Sequence, residues 1–492
     1  MVQSKNIKMS NRKGSQRVAR SLHAHQIVAL ALGALIYILS VTGTLSVFNR
    51  ELQRWEQPDA PEMQAISPQA AAIAAKTVFE SEPKPTSHLY INFPQADLPR
   101  TVVTTDTQAF FVRADGTVAQ KEDFPWTQFL LDLHYYLHLP QILGLTVVGA
   151  LGAFLLAMSI SGFMAHPRIF RDAFTFRRGR GLLTLTDLHN RLSVWTAPFH
   201  ISNALTGSLL GLASILAFVI AAFNFDGDIE KVFAPVFGEE PPMIDGRAPL
   251  ANIEAPLKFM QTEFPDRPPT YFILHDPATA GQHINLIAKH EDRLIFGEYY
   301  NFDASGRYKG NVGISNGTIG QQIIGSVYNI HFGNWGGLPV KLAYGVFGFV
   351  LSIIIVSGLR MYFLRRRQKG NPAPKLEAAW EGITWGTISS LLLTFLSSLW
   401  FGFSGFSLVA TFWILMVATP ILAAVLADYV LINRLLRTLT VLCLLLVMVS
   451  YTITNYAVVT SSPSLSVLTV LLICLIFMIF SLRRNQGMSN SN

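Results

Sequence analysis

The sequence predicts a polytopic α-helical membrane protein with about eight transmembrane helices and two small extracytoplasmic α+β domains. Half of its 492 residues are apolar and only 14% are charged, a balance too hydrophobic for a soluble chain of this length. Several apolar runs reach the length of about 20 residues that a helix needs to cross a bilayer. Two long polar stretches interrupt the first four runs and supply the two domains.

The predicted organisation alternates spans with polar segments. We interpret the first apolar run as a retained helix, because it is long and no small-residue cleavage site follows it. The predicted segments, in chain order, are a basic N-terminus (1–25), the first span (26–48), the first α+β domain (49–130), the second span (131–165), a basic loop (166–188), the third span (189–222), the second α+β domain (223–330), the fourth span (331–364), a loop (365–382), a C-terminal four-helix module (383–482) and a tail (483–492).

Basic residues accumulate in every second connection between the predicted spans. Lys and Arg stay preferentially on the cytoplasmic side of short connections, so both termini are predicted to be cytoplasmic. This topology accounts for the net charge of +7, and no basic-aromatic motif predicts binding of nucleic acid. The basic residues that set the orientation are Arg12, Lys13, Arg17, Arg20, Arg168, Arg171, Arg177, Arg178, Arg180, Arg365, Arg366, Arg367, Arg434, Arg437, Arg483 and Arg484.

Each polar stretch predicts one helix followed by short strands, in the same order. β-branched and aromatic residues dominate the strand runs, and Asp-Gly or Ser-Gly turns close the last hairpin. The predicted elements are a helix at 67–79 with strands at 88–93, 100–105 and 108–113, and a helix at 250–264 with strands at 270–275, 283–288 and 293–302.

The helices around these domains repeat as well. His25 precedes Gly43 of a Thr-Gly pair by 18 residues, and His189 precedes Gly207 of a second Thr-Gly pair by 18 residues. These matched positions, in the same order, indicate a duplicated unit of helix, domain and helix.

The second helix of each predicted pair ends in a Ser-Gly dipeptide. These glycines are Gly162 and Gly358, and a histidine lies upstream of each, at His134 and His331. The C-terminal four helices share none of these features. These helices contain the two cysteines of the sequence, Cys443 and Cys474. Two cysteines are too few for a disulfide framework, and their spacing excludes a CxxC pair.

The repeated histidine and Thr-Gly or Ser-Gly helix pairs, each with an external helix-and-strand domain, resemble the PepSY-associated transmembrane proteins, which include bacterial ferric-siderophore reductases. The resemblance covers about 20–367 and implies a multi-pass protein of the bacterial inner membrane. It also implies a haem-carrying electron conduit. The extra C-terminal helices depart from the shorter reductases of this family.

Histidines are concentrated in the first four predicted spans, and the last four spans have none. Ionisable residues are costly in a membrane and usually serve a function there. Neutral imidazole is a strong axial ligand of haem iron, and facing helices can supply two of them. The candidate cofactor-binding residues are His25, His134, His138, His166, His189, His200 and His331.

The topology sorts these candidates into two layers and predicts two haems b. His25 and His189, together with His166, form the expected inner layer, and His134 with His331 form the outer one. His200 lies deeper on the helix of His189 and is a ligand or relay candidate, while His138 and His166 have no counterpart in the other repeat.

Other residues have simpler interpretations. Arg20, Arg168 and Arg191 lie where haem propionates of the inner layer would emerge, although topology explains them equally well. The histidines of the polar stretches are interpreted as surface residues; they are His88, His275, His283 and His290.

The leading hypothesis is therefore a haem-containing membrane oxidoreductase, a ferric reductase that passes electrons outward to Fe(III) held by a siderophore. No nucleotide-binding motif is found, so electrons are expected from membrane quinol or a separate cytoplasmic reductase. The alternatives are a non-catalytic regulator whose PepSY-like domains bind an envelope protease, and a transporter with a midplane site.

Overall fold

The computed structural model describes the chain from Val2 to Ser489, with side chains from Gln16 to Arg483. Single gaps in this description are Pro167, Arg180, Glu240, Pro242, Met243, Asp245, Glu291 and Asp292. Four of the basic residues used to predict orientation lie outside it, namely Arg180 and the side chains of Arg12, Lys13 and Arg484.

The chain divides into two compact units. The helical unit contains the described residues up to Asn49, Pro125–Leu212, and the described residues from Gly336 onward. The sheet unit contains Arg50–Phe124 and the described part of Ala213–Trp335. Each unit is therefore assembled from segments that are distant in sequence.

Most of the described chain is helical. The α-helices, in chain order, are α1 (Val2–Ser46), α2 (Asn49–Glu56), α3 (Pro68–Glu80), α4 (Pro125–Tyr136), α5 (Gln141–Ala165), α6 (Ile169–Asp172), α7 (Leu182–Trp195), α8 (Ala197–Gly211), α9 (Ala213–Asn224), α10 (Glu230–Phe237), α11 (Glu254–Glu263), α12 (Ile319–Phe332), α13 (Gly337–Gln368), α14 (Pro374–Phe401), α15 (Phe406–Leu426), α16 (Tyr429–Thr454) and α17 (Ser462–Ser489).

Among the described residues, seven helices are long and apolar enough to cross a membrane, and an eighth span arises if the consecutive helices α8 and α9 count as one. This number confirms the prediction of a multi-pass protein with about eight spans. Helix α1 begins at Val2, well before the predicted start at residue 26, and its span-like part is Gln16–Ser46.

The second and fourth spans are shorter than predicted, because a separate helix precedes each. Residues 131–165 divide into the end of α4 and all of α5, and the chain turns between them with Leu137 and His138 at φ of 55° and 57°. Pro140 lacks a backbone donor and disfavours helical geometry in the residue before it. In the second repeat, Gly333 and Gly336, both at positive φ, separate α12 from α13.

The third predicted span, 189–222, is also discontinuous. Helix α7 ends at Trp195, and Pro198 lies in the first turn of α8, where a missing backbone donor is tolerated. A second break follows at Leu212. Gly211 there lies so close to Gly149 of α5 that a Cβ would sit 2.6 Å from the Gly149 Cα atom.

The sheet unit contains a single antiparallel sheet of eight strands. In chain order the strands are β1 (His88–Asn92), β2 (Thr101–Thr105), β3 (Ala109–Val112), β4 (Val118–Lys121), β5 (Pro269–His275), β6 (His283–Ala288), β7 (Glu298–Asp303) and β8 (Tyr308–Asn311). Their spatial order is β4-β3-β2-β1-β5-β6-β7-β8. The predicted strand runs are confirmed in both polar stretches, except that the run predicted at 293–302 becomes a strand only from Glu298 onward.

The two predicted domains are not separate, which corrects the sequence-based organisation. β1 pairs with β5 in antiparallel register, so each four-stranded half covers an open edge of the other. Helices α3 and α11 bury one face of the joined sheet in a shared core that includes Leu89, Phe272 and Met260. Strand periodicity predicts the strands, but it does not identify a pairing partner so far along the chain.

Candidate functional site

A cavity in the helical unit lies among α1, α5, α7, α8 and α13. It encloses about 130 Å³, and about 1100 Å³ of non-atom space when the solvent at its open mouth is included. Its wall is mostly apolar. The polar residues that line it include His25, His189, Asn190, His200 and Arg365.

His25 extends from α1 to the C-terminal half of α5. Its Nδ1 lies 2.9 Å from the carbonyl oxygen of Met158 and 3.4 Å from Oγ of Ser161. Because a carbonyl oxygen only accepts hydrogen bonds, Nδ1 donates and carries the proton. Nε2 therefore holds the lone pair that a metal ion would bind. Gly162 leaves room for the ring, since a Cβ there would lie 3.4 Å from Cε1 of His25.

His189 makes the same contacts in the second repeat. Its Nδ1 lies 3.0 Å from the carbonyl oxygen of Ile354 on α13, and 3.4 Å from Oγ of Ser357. This nitrogen donates for the same reason, and Nε2 again holds the lone pair. A Cβ at Gly358 would lie 3.0 Å from Cε1 of His189, which is tighter than ordinary contact. Both Ser-Gly dipeptides therefore border an imidazole ring from another helix.

The two imidazole rings lie beside each other. The ring centres of His25 and His189 are 6.4 Å apart, and their planes are inclined by 80°. A transition metal binds an imidazole nitrogen at about 2 Å, and that nitrogen is about 1 Å from its ring centre, so two imidazoles on opposite sides of one metal ion would have ring centres about 6 Å apart. The observed separation of the two rings is close to this value.

His200 lines the same cavity from α8. Its side chain is 4% exposed, and its Nδ1 lies 3.5 Å from Oγ1 of Thr196. His200 lies in the cavity wall together with His25 and His189. This location agrees with the sequence, which predicts His200 deeper in the membrane than His189 and on the same side of its helix. Its role as a ligand or relay stays a prediction.

The wall contains further polar residues that the sequence does not identify as candidates. Asn190 and Ser193 are one and four residues after His189, and helical periodicity could have identified Ser193 on the same face. Arg365 was assigned to topology alone, but it lines the cavity. Of the arginines expected near haem propionates, Arg191 instead stacks on Trp195, with its guanidinium carbon 4.2 Å from the ring centre.

Arg20 and Arg168, the other two arginines predicted near haem propionates, are exposed and do not line the cavity. Among the described cavity residues, a positive charge for an anionic substituent comes from Arg365.

His134 lies near the end of α4 and packs against the Thr-Gly pair of α1. Its Nδ1 is 3.4 Å from Oγ1 of Thr42, and a Cβ at Gly43 would lie 2.5 Å from Cε1 of the ring. No side chain other than hydrogen fits at Gly43 unless the ring moves. The first Thr-Gly pair thus borders an imidazole, as the two Ser-Gly dipeptides do.

His331 lies in the last turn of α12 and belongs to the sheet unit, with its ring centre 5.4 Å from that of Phe332. His134 belongs to the helical unit. The pairing of His134 with His331 as an outer ligand set therefore stays a prediction.

Two further candidates lie apart from the histidine pair. His166 follows α5 outside the cavity wall, and its Nε2 is 3.6 Å from a carboxylate oxygen of Asp172, so the structure does not place it in the inner layer. His138 stacks on Phe129 with ring centres 4.8 Å apart, in the turn between α4 and α5.

Comparison with known proteins gives two findings. The family model described as the PepSY-associated TM region matches residues 22–366. A Pseudomonas aeruginosa protein described as uncharacterized is 34% identical over 129 residues, which are 26% of this chain. The match covers 32% of that relative's length.

Proposed function

Because the chain belongs to the family of PepSY-associated transmembrane proteins, we propose that it is a haem-containing oxidoreductase of the bacterial inner membrane. In this proposal, the protein delivers electrons to an acceptor on the extracytoplasmic side, where Fe(III) held by a siderophore is reduced. Fe(II) is a weaker partner for hard oxygen donors, so reduction would release the metal.

The observation that carries this proposal is the pair formed by His25 and His189. The rings come from different repeats and have centres 6.4 Å apart in one cavity, and each donates Nδ1–H to a backbone carbonyl. These residues fit a haem, because His25 and His189 would hold its iron through their Nε2 lone pairs. Bound haem b supplies one-electron chemistry to the site.

The chain's own residues define how such a cofactor is held. The carbonyls of Met158 and Ile354 fix the tautomer and orientation of the two rings, as partners behind metal-bound histidines commonly do. Gly162 and Gly358 let each ring lie close to a neighbouring helix. The apolar wall lowers the local dielectric constant, and Arg365 supplies a positive charge for carboxylate substituents.

The duplicated sequence predicts His134 and His331 as ligands of a second haem, and this pairing stays a prediction. The contact of His134 with Gly43 supports this assignment, since it resembles the way His25 and His189 border glycines. Two haems at different depths would connect the two membrane surfaces better than one. Quinol or a separate reductase is proposed as the electron donor.

The proposal is tested with protein purified from haem-replete cells. We expect haem b bands in the reduced-minus-oxidised optical spectrum, two haems per polypeptide, and quinol-dependent reduction of a ferric siderophore by proteoliposomes. His25→Ala should remove one haem and abolish reduction. His23→Ala is the matched control, because His23 is exposed on the same helix and does not line the cavity. Absence of haem bands in the wild type would refute the proposal.

A further inference from the structure

Three histidines of the sheet unit lie side by side on neighbouring strands. His88 of β1 is the register partner of His275 of β5, and His275 is the partner of His283 of β6. Asp303 of β7 continues the row beyond His283. At the other end, Asp106 follows β2, and its carboxylate oxygen lies 3.5 Å from Nδ1 of His88. An Asp-His-His-His-Asp row therefore crosses the sheet.

The row faces away from the core that α3 and α11 cover. Side chains alternate between the faces of a strand, and the next residues, Leu89, Leu274 and Ile284, are fully buried in that core. The histidines are on the opposite face and only partly buried, and the side chain of His88 is 37% exposed. An ion from solution can therefore reach the row.

The spacing of the rings suits two ligands on one metal ion. Ring centres are 5.2 Å apart for His88 and His275, and 4.4 Å apart for His275 and His283. Two imidazoles bound side by side on one ion have ring centres about 4.5–5 Å apart, since each nitrogen lies about 2 Å from the metal. Both adjacent pairs are close to this separation. The rings of His275 and His283 are stacked with planes 3° apart, so one of them must rotate before both can bind the same ion, whereas those of His88 and His275 are already inclined by 73°.

The outer two histidines are also oriented as metal ligands usually are. Nδ1 of His88 faces the carboxylate of Asp106, and Nδ1 of His283 lies 3.3 Å from the carbonyl oxygen of Gly281. An oxygen acceptor behind Nδ1 holds the proton there and leaves Nε2 as the free donor atom.

We propose that this row, which we call the histidine row (His88, His275 and His283), binds a divalent first-row transition-metal ion. His275 is the central ligand and shares the ion with His88 or His283, because imidazole nitrogens suit Zn²⁺, Cu²⁺, Ni²⁺ and Fe²⁺. Among the described residues, no three His, Cys, Asp or Glu side chains already surround one point, so binding requires the rings to rotate. The proposal does not depend on haem in the helical unit.

Titration of the purified full chain tests the proposal, with Zn²⁺ or Cu²⁺ as the probe and a tag that contains no histidine. We expect one ion per polypeptide in the sheet unit, and nitrogen hyperfine structure in the EPR spectrum of bound Cu²⁺. His275→Ala should weaken binding most, by more than the roughly 10- to 100-fold that loss of a partner behind a ligand costs. His88→Ala and His283→Ala should each weaken binding less, because one adjacent pair survives.

Two controls separate this site from other histidines. His290→Gln, in the same unit but outside the row, should leave binding unchanged. His25→Ala combined with His189→Ala should also retain the ion, whatever happens to haem. Unchanged Zn²⁺ affinity in folded His275→Ala, or equal loss in His290→Gln, would overturn the proposal.

Discussion

In the first repeat, His25 is carried by the unbroken helix α1, whereas in the second repeat His189 lies on α7, which ends at Trp195 before α8 begins. The contact made by the two rings is nevertheless the same. Each Nδ1–H is donated to a backbone carbonyl, from Met158 in one case and Ile354 in the other. Helix continuity has thus diverged between the repeats while the hydrogen bond that orients the imidazole is retained.

A second difference lies deeper in the cavity. Ile36 follows His25 by eleven residues, and His200 follows His189 by eleven residues, so they occupy matched positions in the two repeats. Both line the cavity and both are buried, at 4% exposure each. One half of the site therefore has an apolar side chain where the other half has an imidazole. The features that the two halves share, an imidazole and its carbonyl acceptor, are those that would hold a cofactor. The position at which they differ, Ile36 or His200, is suited to adjusting the cofactor's reduction potential.

The largest expected effect tests the equivalence of the two halves. Because both rings are proposed to bind one haem, His25→Ala and His189→Ala should each remove the same single haem from the two in the wild type. Haem content per polypeptide, measured by pyridine haemochrome, checks this. If one variant lost its haem and the other retained both, the two halves would not share a cofactor.

A smaller effect is expected from the glycines, and here the halves should differ. A methyl group at Gly358 would lie 3.0 Å from Cε1 of His189, whereas at Gly162 it would lie 3.4 Å from His25. Gly358→Ala must therefore displace its ring, and overpacking of this kind costs about 1–3 kcal/mol. Haem retention during thermal unfolding should fall in Gly358→Ala and stay near wild type in Gly162→Ala. Equal behaviour of the two variants would contradict the difference in clearance.

His200→Ile makes the second half resemble the first at the deeper position. We expect haem content to stay at the wild-type level, since His200 is not one of the proposed ligands. The midpoint potential of the inner haem should rise modestly, because a more apolar wall disfavours the charged oxidised centre. Loss of a haem in this variant would instead identify His200 as a ligand.

The smallest effect is expected from the serines behind the rings. Ser161 and Ser357 lie 3.4 Å from Nδ1 of their histidines, longer than the carbonyl contacts, which already accept the proton. Ser161→Ala and Ser357→Ala should each cost less than about 1 kcal/mol of stability and retain haem. A large loss confined to one serine, measured by thermal unfolding, would break the proposed equivalence.

The sequence predicts the helical unit well where hydropathy and repeats carry the signal. Apolar runs identify the spans, and the duplicated spacing predicts that His25 and His189 form a pair. The breaks at Pro140 and Leu212 were missed, because averaging hydropathy over a window conceals a short turn between two apolar helices. The sequence also does not predict which glycine each ring contacts, because nothing near Gly162 or Gly358 in the sequence identifies the histidine that packs against it.

For the sheet unit, alternation of apolar and polar residues predicts strands but not their neighbours. The pairing of β1 with β5 joins stretches separated by two spans, and it alone brings His88 beside His275. Taken one at a time, His88, His275 and His283 are interpreted from the sequence as surface residues, and only the pairing of strands in the folded sheet shows that they form a row. Local periodicity carries no information about pairing over such a distance.

Replacement of a proposed ligand by one that still binds iron tests the central claim most directly. A haem held by one methionine and one histidine has a higher reduction potential than a haem held by two histidines. His189→Met and His25→Met should therefore each retain two haems, while the midpoint potential of one of them rises. His23→Met, on the exposed side of α1, should leave both potentials unchanged. If His189→Met kept full haem content with unaltered potentials in redox titration, these imidazoles would not be the axial ligands.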